Sequence, residues 1–441
     1  MKKKITKNSG YTGSGRSDVG KKESAKKKAS APITAKGKRG KPNVAILAAL
    51  SAVLLVVVII VIAMGPYNER GLEYTVNADG TTCTITGTGS CIVRKVQIPE
   101  YIDGYQVTAI GKNLFYGYGT RVDADAEGIV YSKLKEITIP DSVTSIGQGA
   151  FAGCCKLQSV KLPAKLETLG YGAFADCTNL KDVILPESLR ELGDAVFLRC
   201  SALEKMVIPD SVTEIGVGMF YECTSLKEVK VSANVTKIGA QVFDGCSSLK
   251  EFEIPDGVTE IANRTFSLCT SLEKISVPDG ITYIGEWAFA SCENLAELYI
   301  PDGVTEIGHH AFYECKKLKE ITLPDSVKKL AFYDVDGKGS YAQTFQDCFA
   351  LETLTLSASL EEIQSRAFDG CLALQTLEIP VSVKKLGRAI LAGSGIKTLR
   401  YEGTVAQWNA MEKSADWSSS AGLTEVICSD GTVKLETTSA E

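Results

Sequence analysis

The sequence predicts a solenoid: an α/β-type right-handed coil of stacked 23-residue turns, sharing a parallel strand ladder. Three observations predict it. Phe-x-x-Cys recurs ten times, at Phe151, Phe174, Phe197, Phe220, Phe243, Phe266, Phe289 and Phe312, then at Phe345 and Phe368 after one ten-residue insertion. Prolines keep the same beat at positions 140, 163, 186, 209, 255, 278, 301, 324 and 380, with Ser232 and Ser357 substituting. Apolar residues also repeat in register with both. A fixed period of about 20 to 29 residues marks coils that each contact only their neighbours.

The elements follow in chain order. Residues 1–43 carry 14 Lys/Arg against Asp18 and Glu23, a net of +12, whereas the chain beyond residue 64 carries a net of −17. Such a division implies that the two parts face different surroundings. The first part is Lys-, Gly- and Ser-rich with Tyr11 as its one aromatic, and reads as a disordered tail. Without an aromatic platform beside the lysines, nucleic acid is not an expected partner.

Residues 44–64 (VAILAALSAVLLVVVIIVIAM) carry no charge. As a helix they would span roughly 31 Å, the thickness of a bilayer core. The basic flank lies before them, so the expectation is a single-pass signal-anchor with a cytoplasmic N-terminus and extracellular repeats. The alternative is a cleaved signal peptide ending near Ala63-Met64-Gly65. The apolar run and the preceding basic region are both long for that reading. Residues 65–133 form a linker and N-terminal capping segment with a first insertion. Residues 134–400 are the solenoid, 401–435 a C-terminal capping segment, and 436–441 a disordered tail.

Residues 157–179 (LQSVKLPAKLETLGYGAFADCTN) illustrate one coil. The strand LQSVKL places Val160 and Leu162 inward and Lys161 outward by alternation. Pro163 ends it, because proline has no N–H for a ladder. Leu166 and Leu169 line a return segment, and Gly170 permits the turn after it. Ala173-Phe174 to Cys177 has the spacing of a single helical turn on the far side. A lone coil cannot repay its ordering entropy, so only stacking makes it stable, and both ends need covering.

The recurring LPDSVTEIG…AF…C…L pattern resembles the BspA-like class of leucine-rich repeats found in bacterial and some protozoan surface proteins. Residues 71–115 (TCTITGTG, VQIPEYIDGYQVTAIG, NLF) resemble that class's N-terminal segment. YEGTVAQWNAM at 401–411 and TEVICSDGTV at 424–433 resemble its closing unit. The resemblance covers about 71–435. It implies a curved leucine-rich-repeat solenoid used in adhesion or recognition at the cell surface, with no shared active site to carry over.

Ten of the 14 cysteines fall on the beat, from Cys154 to Cys371. One thiol per coil, about 4.8 Å apart and pointing the same way, suits neither a disulfide nor tetrahedral zinc. They read as buried small apolar residues. Cys83 and Cys91 flank a plausible hairpin and form the one candidate disulfide. The two histidines, His309 and His310, occupy variable positions expected on an exposed convex-side slot, so Ser-His-Asp and Cys-His catalysis have no base elsewhere. Asp334-Val-Asp336-Gly337 and the acidic Asp123, Asp125 and Glu127 are weak calcium-like clusters without a closing ligand. The sequons at Asn234 and Asn263 matter only in a eukaryotic secretory route, and Thr265 of the second occupies an inward position.

No catalytic, cofactor or metal residues are therefore assigned. The candidate partner surface is the outward strand row, Ile184, Val207, Lys230, Glu253 and Tyr299 in particular. Ile184 beside Val207 would set two bare apolar side chains together on an expected concave face, a pattern found at contact sites. The expected function is a membrane-anchored surface protein that binds an extracellular protein or glycan. A rigid spacer or a sensory ectodomain is the alternative.

Overall fold

The computed structural model describes residues 71–88, 94–116, 134–330, 333–334, 340–341, 343–419 and 422–435. All belong to the compact unit Gly65–Glu441. The expected membrane segment 44–64, the tail 1–43 and the cluster at Asp123 lie outside the described residues. Among those described, no helix is long and apolar enough to cross a membrane.

The unit is a parallel-strand β-solenoid of roughly 13 turns at 23-residue spacing. In the coil 157–179 the front strand Ser159–Lys161 is exposed, buried, exposed in turn, which is the predicted alternation. It pairs in parallel with Asp182–Ile184, so that Val160 lies against Val183 and Lys161 against Ile184. Past Pro163, whose carbonyl accepts from the Leu166 N–H, the return segment forms a second strand, Thr168–Leu169. That strand pairs with Ser145–Ile146 on one side and Glu191–Leu192 on the other. Two rows of parallel strands, front and back, therefore run through the array, each hydrogen-bonded in several separate sheets.

The third side corrects the sequence reading. The expected helical turn at 173–177 is not helical, and the α/β character expected of the coil is absent there. An α-helix would send each N–H to the carbonyl four residues back. Here alternate amides divide the work. Ala173, Ala175 and Cys177 donate to Gly170, Gly172 and Phe174 of their own coil. Gly172, Phe174 and Asp176 donate to Asp194, Val196 and Leu198 of the next coil. This alternation requires left-handed backbone at Gly172 (φ 56°) and Asp176 (φ 58°). Each such residue costs of order 1 kcal/mol or more when it is not glycine. The inter-coil bonds offset that cost, because they leave the buried turn amides paired.

The core lies between the three sides. Phe115, Phe151 and each later ladder phenylalanine are at most 2% exposed. Consecutive rings stack nearly parallel from Phe115 to Phe368, with centroids 5.1 to 6.3 Å apart. Phe252 adds a tilted ring 4.8 Å from Phe243. Close approach between coils also explains the glycine that ends most return strands. A Cβ on Gly170 would sit 2.6 Å from the Gln148 backbone nitrogen, and one on Gly308 would collide with the Glu286 amide.

Both ends are closed by antiparallel pairs. Glu73–Val76 pairs with Thr82–Gly87, which then runs parallel to Tyr105–Ile110. At the other end the helix α1 (Val405–Ala410) begins with a capping box between Thr404 and Gln407. It buries Trp408 against Tyr401 and Trp417, and the hairpin Glu425–Cys428 with Gly431–Lys434 follows.

Candidate functional site

The front ladder positions the predicted contact row. Ile184 ends the strand Asp182–Ile184 and is 84% exposed; Val207 ends Lys205–Val207 and is 60% exposed. Their alternation partners, Val183 and Met206, are buried, so the backbone leaves the outer pair no route inward. Lys230 follows on the next coil, in register with Val207, and its Nζ lies 3.3 Å from Glu228 Oε1. Glu253 is exposed in register with Ser276. Exposed ion pairs such as Lys205–Glu228 (3.1 Å) and Lys95–Glu136 (2.7 Å) line the same ladder. They contribute little stability in water and mainly set the charge pattern.

Tyr299 differs from these four, which all end short strands. Its segment forms no strand; a single bridge, Glu297 to Glu320, joins it to the following coil. A recess of about 820 Å³ lies there, lined by Glu273, Lys274, Glu297, Tyr299, Asp302 and Glu320 among others. Tyr299 is 56% exposed, and its hydroxyl donates to Asp279 Oδ1 at 3.3 Å. Alternation around Leu298 looks like that of every other coil, so the sequence gives no sign of this opening.

The cysteine row is buried throughout. Cys154 to Cys371 are free thiols with no measurable exposure. Each Sγ donates to the carbonyl of the phenylalanine one coil earlier, as Cys177 does to Phe151 at 3.2 Å and Cys246 to Phe220 at 3.1 Å. Burial pushes the Cys315 and Cys371 thiols up to about 12. Thiols held so firmly in the neutral form are poor nucleophiles and poor metal ligands. Among the described residues no group of His, Cys, Asp or Glu is arranged to hold a metal ion. Cys83 is a buried free thiol directed at the Tyr105 carbonyl, while its candidate mate Cys91 lies outside the described residues.

The histidines correct a second expectation. His309 is only 6% exposed rather than set in an open slot. Trp287 from the preceding coil and Gln343 after the insertion close around the pair. Thr265, by contrast, is buried as expected, and its hydroxyl donates to the Ala262 carbonyl.

This geometry defines a repeat scaffold with an exposed front row of strand residues and no catalytic constellation among the described residues. Six copies of the "BspA type Leucine rich repeat region" match residues 129–250, 215–335 and 340–420, and the chain belongs to that bacterial surface-type leucine-rich repeat family. Members are typically structural or binding proteins rather than enzymes. Among solved structures, the chain is similar to a leucine-rich repeat protein from Bacteroides ovatus at 24% identity. That match covers 81% of this chain and 98% of the other, with a TM-score of 0.62. It is also similar to the pneumococcal vaccine antigen PcpA at 20% identity, over 82% and 98% of the two chains, with a TM-score of 0.51. A leucine rich cell surface protein from Faecalibacterium prausnitzii matches at 25% identity over 78% and 96%, with a TM-score of 0.46. No curated protein matches the chain.

Proposed function

We propose that this chain is a membrane-anchored surface protein whose front ladder binds an extracellular protein partner in an adhesion-like role. The observation that carries the reading is the apolar pair Ile184 and Val207, 84% and 60% exposed on adjacent coils and flanked by charged strand positions. A bare aliphatic pair on adjacent coils gains its hydrophobic free energy only when a partner covers it. Each strand is held on its far side, Asp182–Ile184 by Ser159–Lys161 and Lys205–Val207 by Glu228–Lys230, so binding would need little reorganisation. The uncharged segment 44–64 after a basic tail supports the anchoring, with the repeats outside.

Two measurements test this. Protease applied to intact cells should remove the repeats and spare the tail; cleavage of a tail epitope with intact repeats would overturn the topology. The purified chain, screened against matrix proteins and glycans, should retain a protein partner that the Ile184→Lys, Val207→Lys variant releases. Partner binding unchanged in the double variant would remove the ladder from the interface. A chain that retains no partner would favour a spacer role.

A further inference from the structure

Along the turn edge, one left-handed slot precedes each ladder phenylalanine by two residues. It holds Gly149, Gly172, Ala195, Gly218 and Gln241 in the earlier coils. In the next four coils it holds Arg264, Trp287, His310 and Gln343, with φ between 43° and 58°. Because the slots are in register, the four side chains form one column. The Arg264 guanidinium lies 5.2 Å from the Trp287 ring centroid. The His310 ring lies parallel to the indole, 2° from coplanar orientation with centroids 4.0 Å apart. His310 Nε2 is 2.6 Å from Gln343 Oε1. The column thus spans a place in the array where the phenylalanine interval lengthens, between Phe312 and Phe345.

His309 supports the column from beneath. Its Nδ1 faces His310 Nδ1 at 2.8 Å, and its Nε2 lies 3.0 Å from Glu286 Oε2. We propose that His309 and His310 form an acid-sensitive rivet across the interrupted repeat, because one proton and no more fits between the facing Nδ1 atoms. Whichever ring carries that proton, the other must present a lone pair. The pair therefore takes up one positive charge at most while the contact stands, and it titrates as a unit. A second charge would oppose two N–H groups at hydrogen-bond distance.

The surroundings act in the same sense. Burial, the largest influence, holds His310 down to about 4; the Gln343 bond opposes this, and His309 and Arg264 add to it. Glu286 is a carboxylate against the pair, and it favours the first charge only. Tyr313 packs edge-on against Trp287 and His310, its hydroxyl pushed up to about 12 by the bond to Glu314, so it stays neutral. In the unfolded chain both histidines charge near their ordinary value of about 6.5. Below that value the open state holds one more proton than the closed state. The rivet's stabilisation is thus complete above about pH 6.5 and is lost as pH falls towards 4. The limiting slope is about tenfold in the opening equilibrium per pH unit.

The chain has only two histidines, so selective labelling of imidazole carbons in the full-length, tag-free protein yields two assignable NMR signals. Between pH 7.5 and 5, at most one should titrate. Hydrogen exchange at 286–313, corrected for its intrinsic pH dependence, should accelerate by up to about tenfold per unit below pH 6.5. His310→Gln, which retains an amide towards Gln343 but cannot titrate, should lose that acceleration. Two imidazoles titrating together near their ordinary value would overturn the proposal. Equal pH dependence of exchange in wild type and variant would do the same. If the variant fails to fold, the wild-type titration alone decides.

Discussion

Phe243→Ala probes the feature that holds successive coils together. The ring has no exposure and lies 5.7 Å from Phe220, 5.5 Å from Phe266 and 4.8 Å from Phe252. Removing a fully buried phenylalanine costs about 3 to 5 kcal/mol, the transfer free energy plus the cavity left behind. Three ring contacts at about 0.5 to 1.5 kcal/mol each place this site towards the upper half of that range, near 4 kcal/mol. Strand pairing to the preceding coil and turn-edge bonds to the next limit how far the coil can collapse into the void. Since each coil contacts only its neighbours, the loss falls on the interfaces with coils 220 and 266, and unfolding should separate into two phases. Urea unfolding followed by circular dichroism measures it. Phe349→Ala, at a ring 40% exposed, is the control and should cost well under half as much. A loss at Phe243 below about 1 kcal/mol, or one equal to the control, would refute the stacked-core reasoning.

Other outcomes follow from the same structure. Gly308→Ala drives a methyl into the Glu286 backbone and should destabilise by about 1 to 3 kcal/mol, as read from urea midpoints. In native protein the ladder cysteines should resist a thiol reagent at pH 8, and after denaturation without reductant all ten should react; native labelling of several would contradict their burial. Ile184→Lys with Val207→Lys should leave stability within about 0.5 kcal/mol per site while weakening partner binding, which separates surface from scaffold by thermal unfolding and pull-down.

The period, the inward and outward strand positions and the closing segments were legible because alternation and proline placement report directly on backbone geometry. Val160, Leu162 and Lys161 take the sides that a two-residue repeat assigns. The turn edge was not legible. The spacing from Ala173 to Cys177 fits a helical turn as well as an alternating hydrogen-bond pattern, and nothing local tells Asp176 to adopt left-handed backbone. That conformation is paid for by bonds to a coil 22 residues later. The burial of His309 escaped for a similar reason: Trp287 edge-on and Glu286 lie against it from the preceding coil, distant in sequence and adjacent only through register. The opening at Tyr299 involves missing ladder bonds, and Leu298 alternates as its counterparts do.

The most direct test of the stacked-coil account is a distance that counts coils. Spin labels carried on genetically encoded keto residues at 161, 253 and 355 sit on exposed ends of front strands Ser159–Lys161, Glu251–Glu253 and Thr353–Thr355. Adjacent strands lie about 4.8 Å apart, so 161 to 253 should measure roughly 19 Å and 161 to 355 roughly 38 Å, less any shortening from curvature. Separations that grow with coil number would bear the account out, and a second distance no longer than the first would contradict it.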